Sequence, residues 1–176
     1  MLLNKLPCLD KGFVAYLDSS CNSTKLKDVA IELFKKTDGK FLYEISTLTL
    51  VIKCPLFVQL NLSQFNLKII TAPTSEIEAY CPSVGEIQSP DHSMNKVISD
   101  DIERTTEALL INPKAYQADG CNRFISQVLT PISVYTTLVV CGSYNEWKRF
   151  STQSNTPVAI VPYSNAVQQI LTMEWK

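Results

Sequence analysis

The cleanest alternation in the chain runs through STLTLVIKC, residues 46–54. Leu48, Leu50, Ile52 and Cys54 fall on one side, and Thr47, Thr49, Val51 and Lys53 on the other. A period of two is the mark of a half-buried strand. Val134–Cys141 repeats the pattern in β-branched residues, with Thr136, Leu138 and Val140 on one face and Tyr135, Val139 and Cys141 on the other. Gly142 is expected to break that strand. Ser143 then caps a short helix through its hydroxyl, with Glu146 three residues on as the capping-box partner. Trp147 and Phe150, three apart, share one helical face. Gly12–Leu17 reads as an edge strand closed by the Asp18-Ser19-Ser20 turn cluster, and Ile77–Cys81 as a short strand.

Helical spacing fills the intervals. From a cap at Ser23 or Thr24 to about Lys36, Leu26, Val29, Ala30, Leu33 and Phe34 form one buried stripe, stopped by Asp38-Gly39. Pro55 suits a first helical position, and Leu56–Asn66 carries Phe57, Leu60 and Phe65 near helical spacing. A further helix is expected from about Met94 to Leu110, with Asp100, Asp101 and Glu103 as its N-terminal charge and Asn112-Pro113 as its end. Lys114–Leu129 reads as another helix, weakened at Gly120. Pro162–Trp175 reads as a last one, striped by Ala166, Val167, Ile170 and Leu171. With no repeat, low-complexity tract or linker, residues 1–176 read as a single α+β domain.

Composition narrows the classes. A chain of 176 residues that is 45% hydrophobic is long enough to bury a substantial core. A net charge of −1 gives no long-range attraction to nucleic acid or an anionic membrane. No apolar run approaches the ~20 residues of a membrane span. Pro7 and Asp10 interrupt what would be the core of an export signal, so a cytoplasmic location is expected. The six cysteines (Cys8, Cys21, Cys54, Cys81, Cys121 and Cys141) include no C-x-x-C pair, and His92 is the one histidine. Closed metal sites want tight ligand pairs, so the thiols read as reduced, mostly buried small hydrophobes and no metal is expected.

Three blocks carry a family resemblance. Pro131, Tyr135-Thr136, the apolar strand, and then Gly142-Ser143-x-x-Glu146-Trp147-x-x-Phe150 resemble the second half of the flavin-dependent thymidylate synthases. Thr49–Val58 is similar to that family's strand-then-helix segment, and Glu78-Ala79-Tyr80-Cys81-Pro82 to its E-x-Y-x-P. The blocks cover about 41–82 and 127–150 in the family's order. The resemblance implies a mixed sheet flanked by helices and an active site assembled between subunits of a homotetramer.

Where the family binds its ligands, this chain departs. The family's R-H-R positions fall at Gln64, Phe65 and Asn66, its later signature serine at Thr74 and the following arginine at Glu76. Glu44 stands where members carry a Glu-His pair. Gln127 replaces a further arginine, Ser143 and Asn145 replace flavin-contacting groups, and Arg149 replaces another polar contact. Tyr135 is kept. After Phe150 the family continues with an arginine that grips the dUMP phosphate; here Ser151-Thr152-Gln153-Ser154 follow. Guanidinium forks meet phosphates with paired, charge-assisted bonds that neutral side chains do not replace. Arg104, Arg123 and Arg149 are the chain's three arginines.

The resemblance therefore implies a catalytically degenerate relative with no catalytic residue and no expected cofactor. Its surviving role would be as a protein–protein interaction module, such as an inhibitor, adaptor or non-catalytic subunit in a homotetramer or hetero-oligomer. The short, stripped chain fits a fast-evolving, bacteriophage-type gene acting on an enzyme in its host's cytoplasm. The alternatives are an active, divergent FAD-dependent enzyme making dTMP from dUMP, or a nucleotide sensor without turnover.

Overall fold

The computed structural model describes residues 4–20, 45–73, 77–87, 89–118, 131–154 and 156–174, with isolated positions between 23 and 32. The helix expected over 23–36 therefore lies outside the described residues, apart from those isolated positions. Contacts along the chain gather into two compact units. The first comprises Met1–Cys54, Val58–Pro73 and Thr136–Lys176, and the second Pro55–Phe57 and Thr74–Tyr135.

The first unit is built on a five-stranded sheet in the order β1-β2-β3-β5-β4. Its strands are β1 (Lys5–Cys8), β2 (Gly12–Ser19), β3 (Thr47–Pro55), β4 (Lys68–Ala72) and β5 (Tyr135–Ser143). β1/β2, β2/β3 and β4/β5 pair antiparallel. β3 and β5 also run opposite ways: Tyr144 donates its backbone N–H to Ser46 O, and Leu56 donates to Val134 O at the other end. The sheet is thus antiparallel throughout, not mixed, because every neighbouring pair takes a reversed register.

In β3, Leu48, Leu50, Ile52 and Cys54 are all buried, as the alternation requires. Thr136, Leu138, Val140 and Gly142 of β5 lie on the same inner face. Gly142 does not break the strand, which continues to Ser143. Its role is spatial: a Cβ there would sit 2.2 Å from Leu67 Cδ2. β2 is also not an edge. It pairs on both sides, and the edge position belongs to β1, whose four residues KLPC include Pro7. An edge tolerates proline, which has no ladder N–H to give. The turn back at 9–11 escapes a turn-residue reading because Leu9, not Gly or Asn, takes the left-handed φ of 55°. A register shift between Tyr16 and Asp18 of β2 leaves Leu17 outside the ladder with β3.

Two helices cover the inner face, α3 (Tyr144–Ser151) and α4 (Val161–Glu174). Trp147 and Phe150 are fully buried, and the Trp147 indole N–H donates to Leu48 O at 2.9 Å. In α4 the stripe of Ala166, Val167, Ile170 and Leu171 is buried, together with Tyr163 and Ser164. Tyr163 reaches the sheet over Gly12 and donates its hydroxyl to Lys53 O at 3.2 Å. The Cys8 thiol donates to Pro162 O at 3.6 Å.

α1 (Leu56–Leu62) stops before the expected Asn66. It buries Val58 and Leu62, four apart, and turns Leu60 outward. Its start falls at the edge of the second unit, and its body belongs to the first. Beyond it, β4 takes Lys68–Ala72 as a strand that the sequence pattern does not announce. Edge pairing with β5 supplies its hydrogen bonds, not an alternating apolar face.

In the second unit, Ile77–Cys81 forms only a bridge, Ala79 with Val134, in place of a strand. Tyr80 donates to Ser133 O, and Tyr135 donates to Glu78 O. Ala79, Leu110 and Val134 make a small apolar cluster with Ile77 against it. α2 (Asn95–Ala118) runs unbroken through Asn112-Pro113. A proline removes one i→i−4 bond and strains the turn before it, but the bonds on either side carry this helix past it. The expected separate start at Lys114 is therefore absent, and 119–130 lie outside the described residues. The helix begins at Asn95, so Asp100, Asp101 and Glu103 fall beyond its first turn.

Candidate functional site

The positions singled out in the sequence divide three ways. Glu44, Thr74, Glu76 and Gln127 lie outside the described residues. Tyr135 is buried in the second unit, where its backbone N–H donates to Glu78 O. Gln64, Asn66, Ser143, Asn145 and Arg149 belong to the first unit. Three of these are brought together, and the residue that gathers them is Glu146.

The gathering is local on one side and long-range on the other. At the end of β5, Ser143 takes an extended conformation and its Oγ accepts from the Glu146 backbone N–H at 3.3 Å, capping α3. The second half of a capping box is not made, because the Glu146 carboxylate turns elsewhere. Its Oε2 accepts from the Asn66 backbone N–H at 3.1 Å, across 80 residues of sequence. Its Oε1 accepts from Arg149 Nη1 at 2.8 Å, one helical turn along. The Glu146 side chain is only 15% exposed, while that of Arg149 is 68% exposed.

Aromatic packing fixes the turn that carries Asn66. Phe65 meets Phe150 edge-on with ring centres 5.6 Å apart, and Phe150 meets Trp147 in the same manner at 6.3 Å. The Arg149 guanidinium lies 6.0 Å from the Phe65 ring centre. Tight backbone bonds, Gln64 N–H to Asn61 O and Phe65 N–H to Leu62 O, wind the turn after α1. Gln64 and Asn145 are exposed.

The chemistry of this cluster follows from its charges. One guanidinium and one carboxylate form a neutral pair, and the carboxylate is the less exposed partner. A phosphate brought to Arg149 would meet Glu146 as well. At ~4 Å two like unit charges repel by ~1–4 kcal/mol at surface-like dielectrics. Arg104, in the second unit, is likewise paired, with Asp101 at 2.6 Å. Among the described residues no group of three His, Cys, Asp or Glu is placed to hold a metal ion.

The remaining titratable groups of interest lie away from the cluster. Burial pushes the Cys8 thiol up to about 12. Burial raises Cys54 further, and its neighbour Cys8 adds to the shift. Cys81 and Cys141 are half-buried and, like Cys8 and Cys54, free. In the second unit, burial works to raise the Glu86 carboxyl. Bonds from the Ser83 N–H and hydroxyl and from the Tyr80 hydroxyl outweigh it and hold the group below the usual carboxylate range.

In the sequence Glu146 reads as a helix cap and Phe65 as a substituted signature position, and neither pattern announces that the two organise this corner. The Glu146–Arg149 spacing of three is visible in the sequence; the bond to Asn66 is not. No family model matches the chain, and no curated protein matches it. Among the described residues, no helix is long and apolar enough to cross a membrane.

Proposed function

We propose that this chain is a catalytically degenerate relative of the flavin-dependent thymidylate synthases that works as a protein–protein interaction module. The supporting observation is the Glu146 carboxylate. It occupies both the Asn66 N–H, at one of the family's R-H-R positions, and the Arg149 guanidinium, at a position where the family makes a further polar contact. A corner that holds polyanions needs uncommitted cations. Here the cation is answered from within the chain, and the neighbouring signature positions are the neutral Gln64 and Phe65. On this reading the thymidylate synthase-like scaffold is retained for its surfaces, as inhibitor, adaptor or non-catalytic subunit.

The test is an absorbance spectrum of the purified protein, joined to thermal unfolding with FAD and with dUMP. The expected protein is colourless, and its melting temperature is unmoved by either compound. A yellow protein stabilised by both compounds would replace this reading with that of an active, divergent enzyme. Stabilisation by dUMP without turnover would point to a nucleotide sensor.

A further inference from the structure

Helix α2 has two opposed faces. Asn95, Thr106 and Leu110 are buried, with Ser99 and Ile102 half-buried along the same side. On the opposite side Val97, Asp101, Arg104, Ala108 and Ile111, preceded by Met94 in the 3-10 turn that leads into the helix, recur at alternating steps of three and four. That is a heptad seam, the spacing that lets two helices share one continuous contact. All six positions are exposed, Val97 at 57% and Ile111 at 64%. Nothing in the buried face asks for apolar residues here, since these positions point directly away from it.

We propose that α2 pairs antiparallel with α2 of a second copy of this chain through this seam. The order of residues along it is self-complementary. With the two-fold axis passing between Ile102 and Glu103, Met94 meets Ile111 of the second copy and Val97 meets its Ala108. Asp101 then meets Arg104 of the second copy, and the symmetry repeats each layer once. Two opposite-charge layers sit at the centre, with apolar layers to either side. The isologous geometry of a two-fold dimer demands this kind of reciprocity. A parallel pairing in register would set Asp101 against Asp101 and Arg104 against Arg104, so the charges select the antiparallel arrangement. The Asp101–Arg104 bridge within one helix, with side chains 62% and 81% exposed, leaves both groups accessible to the facing pair. A seam that reads the same against its own reverse suits a second copy of this chain, since each contact is then made twice. The seam lies on the second unit, and the pairing holds whether or not the first unit binds flavin.

Sedimentation equilibrium of the full chain tests it with two charge reversals. Asp101→Arg places arginine against arginine, and Arg104→Asp places aspartate against aspartate. Each alone is expected to weaken association by at least roughly a hundredfold. An equimolar mixture of the two variants is expected to associate again, because each supplies the charge that the other lost. Val97→Glu, which alters an apolar layer and no central charge, is expected to weaken association as well. Far-UV circular dichroism checks that these exposed positions leave the fold intact. A wild-type chain that is monomeric at every concentration, reversals that leave the mass unchanged, or a mixture that stays apart would each overturn the proposal.

Discussion

Gly12 and Gly142 are both buried, yet their substitution should cost very different amounts. A Cβ on Gly142 meets the far end of Leu67, a side chain free to rotate away. A Cβ on Gly12 meets the Tyr163 hydroxyl at 2.0 Å and two backbone carbonyls, Cys8 O at 2.6 Å and Lys53 O at 2.9 Å. Backbone in a paired sheet does not yield. Overpacking costs ~1–3 kcal/mol in general, so Gly12→Ala should lie at or beyond the upper end and Gly142→Ala near the lower. Urea unfolding of the two variants measures the difference, and equal losses would contradict this account. The cysteines divide by the same logic of access. Cys8 and Cys54, buried and held protonated, should react with iodoacetamide only after unfolding, whereas half-buried Cys81 and Cys141 should label in the native state. Site-resolved mass spectrometry reads the order directly.

At the scale of elements, the turn between α1 and β4 depends on a side chain from α3. Removing the Glu146 carboxylate leaves the Asn66 N–H without that acceptor and Arg149 without its ion pair. Glu146→Ala should destabilise the chain by about 1–2 kcal/mol, mostly through the lost charge-assisted bond to the backbone. Hydrogen exchange should quicken at Asn66 and its neighbours while the β3 and β5 amides stay protected; unchanged exchange at Asn66 would argue against the tie. Burial on one face decides which elements the sequence discloses. β3, β5, α3 and α4 carry period-two or helical stripes because each buries one face against the others, and such burial writes itself into side-chain choice. β1 and β4 do not. They are short edges whose identity rests on backbone pairing, and edge pairing places little demand on residue type. The same limit applies to the candidate site. Ser143 as a cap was legible from its neighbours, but the reach from Glu146 to Asn66 depends on how β4 and α1 are brought beside α3.

For the molecule as a whole, the two buried thiols set an alkaline boundary. An unfolded thiol ionises at about 8.5, whereas folded Cys8 holds its proton up to about 12 and Cys54 shifts in the same direction. With the folded pKa raised, the folded state binds more protons than the unfolded state between those values. Stability from these groups is therefore complete below about pH 8.5 and declines as pH rises beyond it. Melting temperature should fall across the range above pH 8.5, and the double variant Cys8→Ala/Cys54→Ala should show a shallower slope. A parallel slope in the double variant would assign the loss to other groups.

The docking of Tyr163 over Gly12 ties the β1–β2 hairpin to a helix that lies much later in the chain. Residues 5–19 find their cover in residues 161–174, with bonds from Cys8 to Pro162 and from Tyr163 to Lys53 closing the span. During translation the β1–β2 hairpin must wait, its inner face open to water or to a chaperone, until the ribosome has released α4. A nascent chain arrested after Ile160 should then be cut readily by protease within its early strands, and one arrested far enough on to free α4 from the exit tunnel should resist. Quality control of this hairpin would thus be exercised only once α4 has emerged.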